Sequence, residues 1–210
     1  MSSDRQTRKR LATRQSISDV ATRLFLERGF DHVTVDEIAN VADVGRMTVF
    51  NHFPRKEDMF FDRDEEGREI LREALRQRSP GTSPIETLRL LMHQLVAEKH
   101  PAVEFSVRSQ GFIETTKGSE TLRARARAIR DEIAGLVTVS LSESVGLDVS
   151  DPEAHLAANL LLANWMVAFI QAHRTFRQTQ STDKANAIFL SIIDKGAVGI
   201  KAAMSGTPYA

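Results

Sequence analysis

Between Arg46 and His52 the sequence reads RMTVFNH, which sets a guanidinium and a carboxamide beside two large apolar groups within about two helical turns. Arginine can engage guanine O6 and N7 in bidentate fashion, asparagine can do the same for adenine N6 and N7, and methionine or phenylalanine can meet a thymine methyl. Arg46, Met47, Thr48, Phe50 and Asn51 therefore form a mixture of base-reading and phosphate-contacting types, if they stand on the outward face of a helix. Catalytic chemistry has no such set. GxSxG, P-loop and GxGxxG are all absent, and every candidate acid or base has a surface explanation. His93, His100, His155 and His173 form no HExxH or carboxylate–histidine pattern, so neither metal nor cofactor is expected.

Something must hold that helix outward. Residues 34–53, TVDEIANVADVGRMTVFNHF, read as two short helices joined by the turn Asp43-Val44-Gly45, the size of a helix-turn-helix. Val35, Ile38, Ala39, Val44, Val49 and Phe53 can converge on a preceding helix predicted from about Arg8 to Arg28. Its Ile17, Val20, Ala21, Leu24 and Phe25 recur at the spacing of a buried stripe. Gly29 is expected to end that helix in the left-handed conformation, with Phe30 folding back onto Phe25. A compact three-helix head follows.

Helical spacing continues to the end of the chain, with no hairpin turn and no convincing period-two run, so the fold class is all-α with about nine helices. Ser or Thr followed three residues later by Glu marks helix starts at Thr34, Ser83 and Ser150, with Pro84 and Pro152 suited to first helical turns. A long charged helix is predicted from about Arg55 to Arg78, ending at SPGTSP, and further helices near 84–99, 101–115, 119–145, 151–178 and 182–203.

Composition sets the outer limits. The 210 residues and 41% hydrophobic content can furnish a core, and the absence of cysteine excludes disulfides and thiolate metal sites. The start of the chain is charged from Asp4 onward and does not read as a secretory signal. The longest apolar run, Leu156 to Ile170, is broken by Asn159 and Asn164 and falls short of the ~20 residues of a membrane span, so a soluble, cytoplasmic protein with no membrane partner is expected. Charge balances at 28 basic against 28 acidic residues. Its distribution is uneven: Arg5, Arg8, Lys9, Arg10 and Arg14 face only Asp4, which suggests either a localised polyanion contact or a merely solvated tail.

Residues 10–60 resemble the DNA-binding domain of the TetR family. The resemblance lies in Gly29-Phe30 closing helix one, then Thr34-Val35, Ile38-Ala39, Val44, Thr48-Val49-Phe50 and Phe53, with Lys56-Glu57 opening the next helix. It implies a DNA-binding domain at 10–71, with the helix-turn-helix at 34–53, and an effector-binding and dimerisation domain at 72–210. It also implies that Arg46, Met47, Thr48, Phe50, Asn51 and His52 lie on a recognition helix, Thr34 and Val35 open its supporting helix, and Lys56 clamps phosphate. Thr34 would cap its helix and touch phosphate through the helix N-terminus. Three positions depart from the family pattern. Gly45 stands where Ser or Thr is common at the cap, and Phe50 where tyrosine is usual; His52 can serve phosphate or simply the structure.

The resemblance further implies a homodimer built by the last two helices. Leu156, Leu160, Ala163, Val167 and Ile170 form one apolar stripe and Trp165, Phe169 and Phe176 another, while the final helix adds Ile188, Phe189 and Ile192. A helix apolar on two faces must bury both. By the same analogy Met92, His93, Phe105, Phe112, Asn164, Trp165, Phe169 and His173 would line a pocket for a small lipophilic or aromatic effector, with ordinary core packing as the alternative. The functional expectation is a sequence-specific DNA-binding transcriptional regulator, a repressor that a small-molecule effector releases from its operator. A helical adaptor with a degenerate helix-turn-helix and a small helical enzyme are the competing readings.

Overall fold

The structure, a computed structural model, describes residues 2–210, with side chains from Arg5 onward. Among them are ten α-helices and no strand: α1 Ser2–Arg28, α2 Val35–Val41, α3 Arg46–His52, α4 Lys56–Phe60, α5 Asp64–Arg76, α6 Pro84–Ala97, α7 Val107–Gly118, α8 Glu120–Val145, α9 Pro152–Thr179 and α10 Thr182–Ala203. The all-α class is as expected. The extra helix arises because the long element predicted over 55–78 is two helices. Met59 and Phe60 are buried, and Phe61 stands edge-on to Phe60 with ring centroids 5.2 Å apart. Three consecutive apolar side chains sweep roughly 200° around a straight helix. Delivering all of them to one core requires the chain to turn, and it does so at 61–63 before α5 begins.

Two other helix starts differ from the sequence reading. Only a 3-10 turn, Pro101–Val103, forms where a helix was expected from 101. The helix begins later because Ser106 and Ser109 cap each other: Ser106 N–H donates to Ser109 Oγ at 2.8 Å, and Ser109 N–H to Ser106 Oγ at 3.2 Å. At α9 the cap is Asp151 and not Ser150, since the Asp151 carboxylate accepts from the N–H groups of Glu153 and Ala154. Ser150 turns back onto Asp148 Oδ1 instead. Ser83 caps α6 as expected, with Pro84 in the first turn.

The chain divides into two compact units. The first comprises the chain up to Asp64 together with Gly111–Arg127, and the second comprises Glu65–Gln110 with Ala128–Ala210. Ile17, Ala21, Phe25, Phe30, Ile38, Val49, Phe53 and Met59 fill the core of the first. Residues 111–127 are tied into it: Phe112 stacks on Phe60 at 4.2 Å, Leu122 is fully buried, and Ser119 Oγ donates to Asp31 at 2.9 Å.

In the second unit α9 and α10 pack along each other and α6 lies against α10. The inner side of α9 is Ala154, Ala157, Ala158, Ala168 and Ala172, small residues that let α10 approach. By length and composition alone α9 could cross a membrane, with 28 residues and a mean hydropathy of 1.3 over its most apolar window, a longer apolar stretch than the Leu156–Ile170 run. Its buried alanine side makes it a core helix of this unit.

Candidate nucleic-acid interface

Capping chemistry fixes the supporting helix α2. Thr34 Oγ1 accepts from Glu37 N–H at 3.2 Å, while the Glu37 carboxylate accepts from Thr34 N–H at 2.7 Å and from its hydroxyl at 2.9 Å. Arg28 holds the same carboxylate at 2.8 Å. The Thr34 backbone bond, then Arg28, keep Glu37 far below the ordinary carboxylate range, at about 2. Thr34 thus caps as expected, but its N–H and hydroxyl are engaged by Glu37, which leaves little for the phosphate contact that the resemblance implied.

The turn after α2 closes with two reverse bonds, Val44 N–H to Ala39 O at 3.0 Å and Asp43 N–H to Asn40 O at 3.3 Å. This is a Schellman closure, which puts one residue in the left-handed region. Asp43 takes that place with φ 53°, whereas Gly45 is extended with φ −70° and ψ 147°. Gly29 likewise has φ 84° but ψ 145°, so it is a positive-φ corner and not the left-handed helical cap expected there. The accompanying contact does form, with the Phe25 and Phe30 rings 4.9 Å apart.

α3 spans the predicted residues. Val49 is buried on its inner side and Phe53, just past its end, anchors it to the head core. Arg46, Met47 and Asn51 are exposed, Met47 to 70%, and Thr48, Phe50 and His52 are half-buried around them; Val35 at the start of α2 is also half-buried. The Arg46 guanidinium is bonded to both oxygens of Asp36, at 3.1 and 2.9 Å, and lies 5.5 Å over the Phe50 ring. That pair joins the two helices of the motif across ten residues, and nothing in the local pattern signals it.

Two expected phosphate contacts are placed differently. Lys56 turns inward: Nζ donates to the Phe30 carbonyl at 2.5 Å and sits 4.1 Å over the Phe30 ring, and burial pushes its pKa down. It therefore ties α4 to the corner after α1, whereas the resemblance implied a phosphate clamp. His52 has its imidazole pKa lowered, first by partial burial and then by Arg10 and Arg14, so at neutral pH it offers a neutral ring and not a cation. Arg14, which the motif reading passed over, donates to the His52 carbonyl at 2.5 Å and lies 4.0 Å over the Phe53 ring.

In the second unit the expected pocket residues separate. Phe112 does not belong to this unit at all, being stacked in the first. Trp165, Phe169, His173 and Phe105 do cluster, with Trp165 stacked on Phe169 at 4.8 Å and Phe169 edge-on to His173 at 4.4 Å. Asn164 donates to the Ile193 carbonyl at 3.2 Å, a helix-to-helix bond. His93 meets Asp194 at 2.8 Å on the α6–α10 surface, and Met92 is half-buried against the core. An open groove of about 860 Å³ lies instead along α5 and α8, lined by Leu75, Leu136 and Val139 together with Arg68, Arg72 and Arg78.

The outward stripe of α9 is exposed and apolar: Leu156 47%, Val167 58% and Ile170 57%, with Ala163 exposed and Leu160 half-buried between them. On α10 Ile188 is 37% exposed and Ile192 half-buried. Phe189 is fully buried in its own unit, 5.5 Å from the Phe105 ring, and so is withdrawn from the expected dimer surface.

Residues 17–62 match the family described as bacterial regulatory proteins, tetR family. The chain is similar to the HTH-type transcriptional regulator TcmR of Streptomyces glaucescens, 33% identical over 81 residues, 39% of this chain and 36% of that protein. It is also similar to the HTH-type transcriptional regulator AcrR of Shigella flexneri, 46% identical over 48 residues, 23% of this chain and 22% of that protein. The chain thus matches about a third or less of the length of these relatives. Solved structures share the fold more fully. The SmeT–triclosan complex has a TM-score of 0.58 at 17% identity over 90% of this chain and 91% of that one. NalD of Pseudomonas aeruginosa, a secondary repressor of a multidrug efflux pump, has 0.58 at 22% over 90% and 96%. Thermus thermophilus FadR with lauroyl-CoA has 0.55 at 23% over 89% and 92%.

Proposed function

We propose that this chain, a member of the tetR family of bacterial regulatory proteins by its residues 17–62, is a sequence-specific DNA-binding transcriptional regulator that acts on operator DNA as a homodimer. One observation carries the reading: α3 is anchored from behind by Val49 and Phe53, while Arg46, Met47 and Asn51 face outward together. A helix so presented fits a major groove, where Arg46 and Asn51 supply base preference and the flanking groups contact phosphate. Asp36 holds Arg46 until a guanine edge replaces it; at an exposed pair this exchange costs about 1 kcal/mol or less.

The apolar stripe on α9 supports self-association, because a two-fold pair presents two α3 helices to a pseudo-palindromic site. Repression relieved by a small lipophilic or aromatic effector is the regulatory mode we propose, in a bacterial cytoplasm. NalD is named as a repressor, and SmeT and FadR are described with triclosan and lauroyl-CoA bound. Effector binding would act by favouring a spacing of the two heads unsuited to the half-sites.

The test is retardation of the DNA upstream of the protein's own coding region. Salt-sensitive, sequence-selective retention by the full chain is expected. Absence of any retention at low salt would favour the adaptor reading and overturn this one.

A further inference from the structure

The stripe of α1 that buries Ile17, Ala21 and Phe25 continues toward the start of the helix, at the same helical spacing, as Arg14 and Arg10. The side of α1 that faces the head core thus turns cationic where it runs past that core. Arg14 marks the junction, with its guanidinium on the His52 carbonyl and over Phe53, at the C-terminal end of α3. Arg10, one turn further out, is exposed and still close enough to His52 to disfavour charge on that imidazole. Arg5 and Lys9 are exposed as well, and no acidic residue occurs between Arg5 and Arg14. At 1.5 Å per residue this stretch spans about 14 Å, the axial rise of roughly four base pairs.

We propose that the first turns of α1 are a second DNA contact, in which Arg5, Lys9 and Arg10 bind the phosphate backbone beside the groove entered by α3. The proposal rests on the reading of α3 as a recognition helix, and it assigns residues outside that motif. Continuity selects the partner: Arg10 extends the stripe that meets α3 at Arg14, and Lys9 and Arg5 flank it round the helix, so a polyanion lying along α3 meets this cationic end of α1. Its contribution is electrostatic and blind to sequence, since no base-reading side chain is required there. Folding does not depend on Arg5, Lys9 or Arg10, because all three are exposed.

The experiment compares the full-length protein with the R5Q/K9Q/R10Q variant on its upstream DNA and on a random-sequence duplex, across a salt series, with thermal melting as the check on folding. Three phosphate contacts predict that the slope of log affinity against log salt becomes shallower by up to about 2.7, with parallel losses on both duplexes. The charge-preserving R5K/R10K variant should keep the parent slope. An unchanged slope in the glutamine variant, while the parent binds, overturns this proposal and leaves the reading of α3 intact. A loss confined to the upstream DNA also overturns it, because it would mean sequence readout. Failure of the parent to bind either duplex overturns both.

Discussion

Asn164 of α9 occupies the space left by the missing side chain of Gly196 on α10. A Cβ at 196 would lie well inside van der Waals contact of the Asn164 carboxamide, whose Nδ2 donates to the Ile193 carbonyl at 3.2 Å. The two helices carry the outward stripe, so this close approach helps to set its shape.

Gly196→Ala therefore has two opposed effects. Helix propensity favours alanine by about 0.5–1 kcal/mol, whereas displacing Asn164 from its bond and from packed space costs about 1–3 kcal/mol. Net destabilisation is expected in chemical denaturation. In an Asn164→Ala background the clash is gone and the same change should become neutral or stabilising. Additive effects in that cycle would refute the contact.

Asp36 restrains Arg46, and its removal should separate affinity from preference. Asp36→Ala is expected to tighten binding to any duplex by about fivefold or less, the most that an exposed pair supports. Arg46→Ala should cost roughly 1–3 kcal/mol on the operator and little on random DNA. Equal losses on both duplexes for Arg46→Ala would contradict its assignment as a base reader.

The helix-turn-helix was legible because its determinants are local. Thr34 and Glu37 sit three residues apart, Gly29 and Phe30 are adjacent, and the alternation that buries Val49 and Phe53 leaves Arg46, Met47 and Asn51 outside. What escaped the sequence depends on partners far along the chain. Lys56 is turned inward by a carbonyl 26 residues away, and Phe112 is drawn to Phe60 across about a quarter of the chain. Phe189 belongs to the apolar set of α10, yet the Phe105 ring claims it for the interior. Asp43 takes the strained turn position beside Gly45, the residue better suited to it, because the Schellman closure sets the register from the end of α2.

That strain is itself testable. Asp43 sits at φ 53°, where glycine avoids the penalty of a side chain. Asp43→Gly should stabilise the head by up to about 1 kcal/mol, offset in part by the greater freedom of the unfolded chain. A fall in the melting temperature would show that the Asp43 side chain makes a compensating contact.

Acid should weaken the protein in a defined window. Glu37 and Glu86 both have folded-state pKa values of about 2, below the ordinary 4.5, through the Thr34 backbone bond and Arg28 for the first and Arg89 and Lys201 for the second. A depressed carboxyl stabilises the fold above its unfolded value and loses that contribution as pH falls through the folded value. Stability should therefore decline from about pH 4.5 to about pH 2. Glu37→Gln and Glu86→Gln should each be less stable at neutral pH and show a flatter decline across that window. Parallel pH profiles for the parent and both variants would contradict the linkage.

Val167 and Ile170 lie on the side of α9 opposite its buried alanines, 58% and 57% exposed. Isolated apolar residues on a surface are unremarkable, but with Leu156 and Ala163 they form a stripe, and a continuous stripe calls for cover. If a second copy supplies it, the V167E/I170E variant places four like charges at the two-fold junction and should sediment as a monomer. Its fold should persist, because neither side chain contributes to the core of its own unit. Operator binding should then weaken by about 10²-fold or more as the avidity of two linked heads is lost, while the far weaker affinity of one head for random DNA changes little. A variant that remains dimeric would place the self-association surface elsewhere on the chain.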